Sequence, residues 1–113
     1  MKQVDSISLN ELKEMSGNMY DELVKAVVDV RLKILVVDAG LHSDEESFLL
    51  EEGSFQEDLW GVNLYPADFG TEDFIEFDSM INIRPAQNNR SRSIEDPVIQ
   101  KAIRDIIAEV VYE

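Results

Sequence analysis

The chain has 113 residues, 44% hydrophobic and 30% charged, which is typical of one globular domain covering residues 1–113. It contains no cysteine, which excludes disulfide scaffolds, cysteine-ligated zinc or iron–sulfur sites, and thiol catalysis. Its net charge of −14 disfavours nucleic acid and anionic membranes as partners, and without a signal core or a spanning apolar run we expect a cytoplasmic location.

The first helix is predicted to begin at Ser8, because Ser8 and Glu11 form an S-x-x-E capping box. Gly17 and Asn18 would end this helix, unless it continues through Met19 and Tyr20. Its apolar side is formed by residues at helical spacing: Leu9, Leu12 and Met15.

Two strands are predicted next, over residues 24–30 and 34–39, because both segments are rich in β-branched residues. Residues 31–33 would turn the chain into a hairpin, although the turn has no Gly, Asn or Pro. One long bent strand is the alternative. Asp38, at the end of the second strand, is an unusual residue for such an apolar segment.

A short helix is predicted between Ser43, as its cap, and Gly53, because acidic residues in the first turn suit the helix dipole. A strand over residues 48–50 is the alternative. A third strand is predicted over residues 58–65, with Trp60 on the core side and with Asn63 and Tyr65 facing the opposite way. An edge position in which Trp60 lines a groove is the alternative.

A fourth strand is predicted over residues 74–84, ending before Pro85. Alternation would send one set of residues to the core: Ile75, Phe77, Ile81 and Ile83. The opposite side would carry a row of mostly polar groups: Glu76, Asp78, Met80, Asn82 and Arg84. This polar side predicts an open sheet face or a groove.

The last helix is predicted to begin with Asp96 as its cap and Pro97 at its first position. A broad apolar stripe follows at helical spacing: Val98, Ile99, Ala102, Ile103, Ile106, Ile107, Val110 and Val111. Together the elements predict an α+β fold, with a four-stranded, mainly antiparallel sheet and the N- and C-terminal helices packed on one face.

Four sequence blocks resemble a family of small prokaryotic proteins known only as a domain of unknown function. These blocks are VKAVVDV at 24–30, LHSDEE at 41–46, DLWGVNLYP at 58–66 and FDSMINIRPAQNNRSR at 77–92. The resemblance covers about residues 8–105, and it implies no activity, cofactor or partner.

Arginines are concentrated in residues 84–93, which contain no acidic residue. Guanidinium groups match the geometry of carboxylates and phosphates, so Arg84, Arg90 and Arg92 are candidates for an anion pocket. Such a pocket would join the polar side of the fourth strand, where Asn82, Asp78 and Glu76 lie. The alternative is that these arginines only neutralise nearby acids.

His42 is the only histidine, and with Asp38 it is a candidate acid–base pair, with Glu45 as an acid or metal ligand. The alternative is a structural histidine bonded to the backbone or to a helix-capping acid. The acidic run over residues 44–58 lacks the spacing and the glycine of an EF-hand. We therefore predict no metal site and no cofactor.

The leading hypothesis is a non-catalytic binding or regulatory module for a small anionic ligand or a protein partner. The alternative is a hydrolase or phosphoryl-transfer enzyme with His42 or Asp38 as base and arginines as substrate clamps. This hypothesis requires His42 to lie near residues 86–93, which we call the arginine loop. A homo-oligomer is a third possibility, because the stripe of the last helix is broad. Nucleic-acid binding is the weakest hypothesis and rests only on residues 90–92.

Overall fold

The computed structural model describes residues 1–17 and 22–113. In these residues there are three α-helices: α1 (Leu9–Ser16), α2 (His42–Glu51) and α3 (Pro97–Val110). The strands are β1 (Lys2–Val4), β2 (Ile7–Ser8), β3 (Val24–Asp29), β4 (Ile34–Val37), β5 (Leu59–Leu64), β6 (Ile75–Glu76) and β7 (Val111–Tyr112). None of the helices in the described residues combines the length and the apolarity needed to cross a bilayer.

The main sheet is antiparallel throughout, in the order β1-β4-β3-β5-β6, and β2 pairs separately with β7 in parallel. The α+β class is confirmed, but the predicted number of four strands in the sheet is wrong. The fifth strand is β1, whose Lys2 and Gln3 lack the β-branched pattern that marks the other strands. Pairing with β4, and not local propensity, makes this segment a strand.

The two terminal helix caps are confirmed. Ser8 accepts a hydrogen bond from the backbone amide of Glu11 at 3.1 Å, and Asp96 accepts one from that of Val98 at 2.8 Å. α1 ends at Ser16, followed by Gly17. The predicted continuation through Met19 and Tyr20, like the stop at Asn18, lies outside the described residues.

The hairpin between the first two predicted strands is also confirmed, since β3 and β4 pair antiparallel and a single bent strand is wrong. The turn contains no glycine because Asp29 organises it: its carboxylate accepts hydrogen bonds from the backbone amides of Arg31 and Leu32, both at 2.9 Å. Lys33 then adopts the left-handed conformation, with φ of 58°.

α2 differs from its prediction in its first residue. It begins at His42, after Leu41, and Ser43 does not cap it; no side chain forms a capping bond there. The alternative strand over residues 48–50 is wrong, because this segment is helical.

The predicted strand over residues 74–84 is wrong beyond Glu76. Strand pairing stops there, and residues Met80–Asn82 form a 3-10 turn that the Ser79 hydroxyl caps by accepting from the amide of Ile81 at 3.3 Å. The side chain of Asn82 replaces strand pairing, since it bonds both the amide and the carbonyl of Gly61 at 2.9 Å. A side chain that occupies the edge of β5 in this way prevents a regular ladder.

The predicted inward alternation along this segment is confirmed for Ile75 and Phe77 and is wrong for Ile81 and Ile83. Ile75 and Phe77 pack against one hydrophobic cluster, Ile81 packs against another, and Ile83 is 40% exposed. Asn82 and Arg84, expected on an open polar face, are buried.

The sheet separates two hydrophobic clusters. The larger cluster contains Val24, Ala26 and Val28 of β3 together with side chains of α1 and α3. The smaller one contains Val27 of β3 and Leu49 of α2. Because alternate residues of a strand point to opposite faces, Lys25 lies on the α2 side of the sheet, as Val27 does.

Candidate functional site

An open cleft of about 550 Å³ lies on the α2 side of the sheet, and we call it the α2 cleft. Its floor comes from β3, β5 and β6, one wall from the start of α2, and the other wall from residues 78–81. Its lining comprises Leu23, Lys25, Leu41, His42, Ser43, Asn63, Tyr65, Glu76, Asp78, Ser79, Met80, Ile81 and Arg92.

Three polar residues cross the floor side by side, and we call them the polar row: Lys25, Asn63 and Glu76. Lys25 of β3 is the cross-strand partner of Asn63 in β5, and Asn63 is in turn the partner of Glu76 in β6. Opposed residues in adjacent strands share a face, so this register holds a cation, an amide and a carboxylate in one line.

The second wall approaches the sheet closely because Gly61 has no side chain. A Cβ at this position would lie 2.6 Å from the Cβ of Ser79, which is far inside a normal contact distance. Gly61 thus allows residues 79–81 to pack directly on β5, and this packing fixes the wall of the α2 cleft.

Lys25 is half-buried, and among the residues described it forms no salt bridge. The N-terminus of α2 reaches the same cleft with His42 and Ser43, and no side chain caps its amide groups. Helix N-termini carry partial positive charge and favour anions. This side of the cleft therefore combines a lysine with an uncapped helix end.

His42 is buried, and its Nε2 lies 2.8 Å from the carbonyl oxygen of Val62. Because a carbonyl only accepts, Nε2 carries the proton and Nδ1 of the neutral ring is an acceptor. Burial lowers the pKa of His42, with a smaller contribution from Lys25, while the bond to Val62, the charge of Asp78 and the side chain of Asn63 oppose this change. His42 is therefore uncharged at neutral pH.

Asn63 is only 5% exposed, and its Nδ2 donates to Glu76 Oε1 at 2.8 Å and to the Asp78 carbonyl at 3.2 Å. These two bonds fix which way the amide faces. Its Oδ1 is buried and has no donor within hydrogen-bond distance among the residues described. Tyr65 also donates to Glu76 Oε1, at 3.1 Å, so Glu76 Oε1 is fully engaged.

Glu45 lies fully buried on α2, and in residues 1–17 and 22–113 neither carboxylate oxygen has a hydrogen-bond donor within 3.5 Å. Burial raises the pKa of Glu45 to about 9, although the backbone of Ala39 and the charge of Lys25 act in the opposite direction. Glu45 is thus protonated at neutral pH and does not neutralise Lys25. Neither Glu45 nor Asp38, which has φ of 69°, lines the α2 cleft.

Arg84 is buried and bonded to the protein itself. Its guanidinium donates to the carbonyls of Ile81, Gln56 and Leu59, and its central carbon lies 4.1 Å from the ring centre of Trp60. Like the side chain of Asn82, it is occupied in joining segments of the chain, and neither residue lines the α2 cleft.

The arginine loop is ordered by its own side chains. Asn89 donates to the carbonyls of Asn82 and Ser93, both at 2.7 Å. Glu95 accepts from the Ser91 hydroxyl and from the amides of Ser91 and Arg90, all at 2.9 Å, and these bonds lower the pKa of its carboxyl. The predicted anion position in this loop is thus occupied by a carboxylate of the same chain.

Arg92 is the one predicted arginine that lines the α2 cleft, where it pairs with Asp78 at 2.7 Å. The structure therefore brings together four of the predicted residues: His42, Glu76, Asp78 and Arg92. It places Arg84, Asn82, Arg90, Asp38 and Glu45 elsewhere. No group of three or more His, Asp or Glu residues suited to a metal occurs in residues 1–17 and 22–113.

Sequence reasoning missed Lys25 as a cleft residue, and it named Asn63 and Tyr65 without assigning them to a site. The sequence contained a signal for both residues, namely the alternation of side chains along a strand. In β3, Val24, Ala26 and Val28 face the core, so Lys25 faces the opposite side. In β5, Trp60 faces the core, so Asn63, three residues later, faces the opposite side. The register that aligns these residues depends on pairing between distant segments.

The family model described as "Protein of unknown function (DUF5674)" matches residues 3–110, so the chain belongs to this family. This confirms the resemblance found in the sequence blocks. No curated protein and no solved structure matches the chain.

Proposed function

We propose that this member of the DUF5674 family is a non-catalytic binding module, and that its α2 cleft holds a small anionic ligand. The observation that carries the proposal is the position of Lys25. Lys25 is half-buried, has no ion-pair partner in the described residues, and lines the same cleft as the uncapped start of α2.

Local charge supports this assignment despite the net charge of −14. On the α2 side of the cleft, His42 is neutral and Glu45 is protonated at neutral pH, so neither offsets Lys25. On the other side, Asp78 is paired with Arg92, while Glu76 is hydrogen-bonded by Asn63 and Tyr65 and is separated from Lys25 by Asn63. A carboxylate or phosphate beside Lys25 would complete a charge pair, and it would also accept hydrogen bonds from the first amides of α2.

Calorimetric titration of the full chain with acetate and with inorganic phosphate tests the proposal. We expect saturable binding of at least one anion, and Lys25→Met is expected to weaken it by about tenfold or more. Lys33→Met is the matched control, because Lys33 is exposed beyond the far end of β3 and the substitution changes the net charge equally. Equal weakening by both variants, or no saturable binding to the wild type, would overturn the proposal.

An acid–base enzyme is the second candidate, and one observation favours it. His42 is held through Nε2, its Nδ1 is an acceptor, and it shares the cleft with Arg92, as this hypothesis requires. Asp38 does not line the cleft, so only His42 remains as the base. Hydrolysis of p-nitrophenyl phosphate or p-nitrophenyl acetate that is abolished by His42→Gln would establish catalysis, and no turnover by the wild type would exclude it for these ester classes.

A further inference from the structure

We infer that the ligand of the α2 cleft is a zwitterion, with a primary ammonium group beside its anionic group. This inference rests on the proposed function, and it adds the chemical class of the ligand. Its basis is the polar row, in which an amide and a carboxylate line the same cleft as Lys25.

The first argument is an acceptor without a donor. Asn63 Oδ1 is buried and unpartnered, and the orientation of the amide is fixed because Nδ2 donates to Glu76 and Asp78. His42 Nδ1 is a second acceptor, since the ring proton is on Nε2. An unpaired buried acceptor is costly, and a carboxylate cannot satisfy it because a carboxylate brings only further acceptors. A donor group of the ligand that reached His42 Nδ1 or Asn63 Oδ1 would remove this cost.

The second argument is the order of charges across the row. Lys25 and Glu76 lie on either side of Asn63, and they do not form a salt bridge with each other. Adjacent strands are about 4.8 Å apart, so the backbones of Lys25 and Glu76 are separated by about 10 Å. A ligand that places its carboxylate towards Lys25 and its ammonium towards Asn63 and Glu76 fits this order. An ammonium supplies three N–H donors for the acceptors.

The third argument concerns the rim of the cleft. Leu41 is 58% exposed on one wall and Met80 is 65% exposed on the other. Two apolar side chains at the mouth of a polar cleft favour a ligand with an apolar side group above its charged groups. A cleft of about 550 Å³ has room for a free amino acid or a dipeptide.

The test uses four probes that share one side chain. L-Leucine and L-leucyl-L-leucine carry both charges, 4-methylpentanoate lacks the ammonium, and 3-methylbutylamine lacks the carboxylate. Binding to the full chain is measured by NMR titration, which detects weak affinity. We expect at least one of the two zwitterions to bind about tenfold or more tightly than either single-charge probe.

Glu76→Gln is the diagnostic variant, because it removes the charge and keeps the shape. We expect this variant to weaken the binding of the preferred zwitterion by about tenfold and to leave the binding of 4-methylpentanoate unchanged. Glu109→Gln is the control, since Glu109 is exposed on α3. If leucine binds more tightly than leucyl-leucine, the ligand is a free amino acid, and if leucyl-leucine binds more tightly, the ligand is a peptide.

Two results would overturn the inference in different ways. If 4-methylpentanoate binds at Lys25 as tightly as the zwitterions, the anion site stands and the ammonium position is wrong. If neither the zwitterions nor acetate, phosphate or 4-methylpentanoate binds, the proposed function fails together with the inference.

Discussion

His42 of α2 donates a hydrogen bond from Nε2 to the carbonyl of Val62 in β5, across 2.8 Å, and so anchors the first turn of the helix to the sheet. This contact links two segments that are 20 residues apart. It places the start of α2 over the polar row and gives the cleft its shape.

The first prediction follows from the burial of this imidazole. The pKa of His42 is expected below its ordinary value of 6.5, mainly because burial disfavours the charged ring. Between the pKa of His42 in the folded chain and its ordinary pKa in the unfolded chain, the unfolded chain binds more protons. The contribution of His42 to stability is therefore complete above pH 6.5 and is lost as pH falls. The ring resonances of this single histidine report the pKa directly. A titration midpoint at or above 6.5 would contradict the prediction.

Glu45 provides the second prediction, with the opposite sign. Its pKa is raised from 4.5 to about 9, so the folded chain keeps a proton that the unfolded chain loses, and stability falls as pH rises between these values. Glu45→Gln removes this penalty and is expected to stabilise the fold by up to roughly 3 kcal/mol at pH 7. Urea denaturation at pH 5 and pH 8 should show that the free energy of unfolding gained by Glu45→Gln, relative to wild type, increases with pH.

Glu51→Gln is the control for this measurement, because Glu51 lies at the exposed end of the same helix. Its effect should be small and nearly independent of pH. A Glu45→Gln variant whose stability relative to wild type is the same at both pH values would show that Glu45 is ionised in the fold.

The third prediction concerns the contact between β5 and the second wall of the cleft. Gly61→Ala puts a Cβ 2.6 Å from that of Ser79, so we expect a loss of about 1–3 kcal/mol in the free energy of unfolding. Adding Ser79→Gly to the Gly61→Ala variant should restore part of the lost free energy of unfolding. Gly40→Ala, with no atom within 4 Å of the new Cβ, should change stability by less than about 0.5 kcal/mol. Equal effects at Gly61 and Gly40 would refute the close packing.

Arg84 gives the fourth prediction. Lysine cannot reproduce its fork of hydrogen bonds or its stacking on Trp60, so Arg84→Lys should lower the free energy of unfolding by about 2–4 kcal/mol. Arg90→Lys, at an exposed position of the loop, should cost less than about 0.5 kcal/mol. Thermal unfolding measures both, and an Arg84→Lys variant as stable as wild type would show that the guanidinium contacts contribute little.

The sequence predicts those parts of this fold that short-range chemistry determines. The caps at Ser8 and Asp96 act within three residues, and strand alternation places Trp60 in the core. Residues 77–84 were predicted as a strand because their apolar pattern has a period of two. Their real structure depends on Asn82 and Arg84, which bond backbone groups 21 to 28 residues away, and no local pattern reveals such bonds.

The same reason limits the prediction of the site. Arginine-rich composition indicated an anion pocket, but it could not show that Glu95 occupies the loop or that Arg84 is buried. The polar row depends on the register of β3, β5 and β6, which is a property of the assembled sheet. Single residues of the row were visible in the sequence, but their alignment was not.

The most direct test of the account is to map the backbone amides that respond when inorganic phosphate is added to the ¹⁵N-labelled chain. The account predicts saturable shifts that are largest at His42, Ser43 and Lys25, and their loss in Lys25→Met but not in Lys33→Met. Shifts confined to Arg90 and its neighbours, or spread evenly over the surface without saturation, would contradict it.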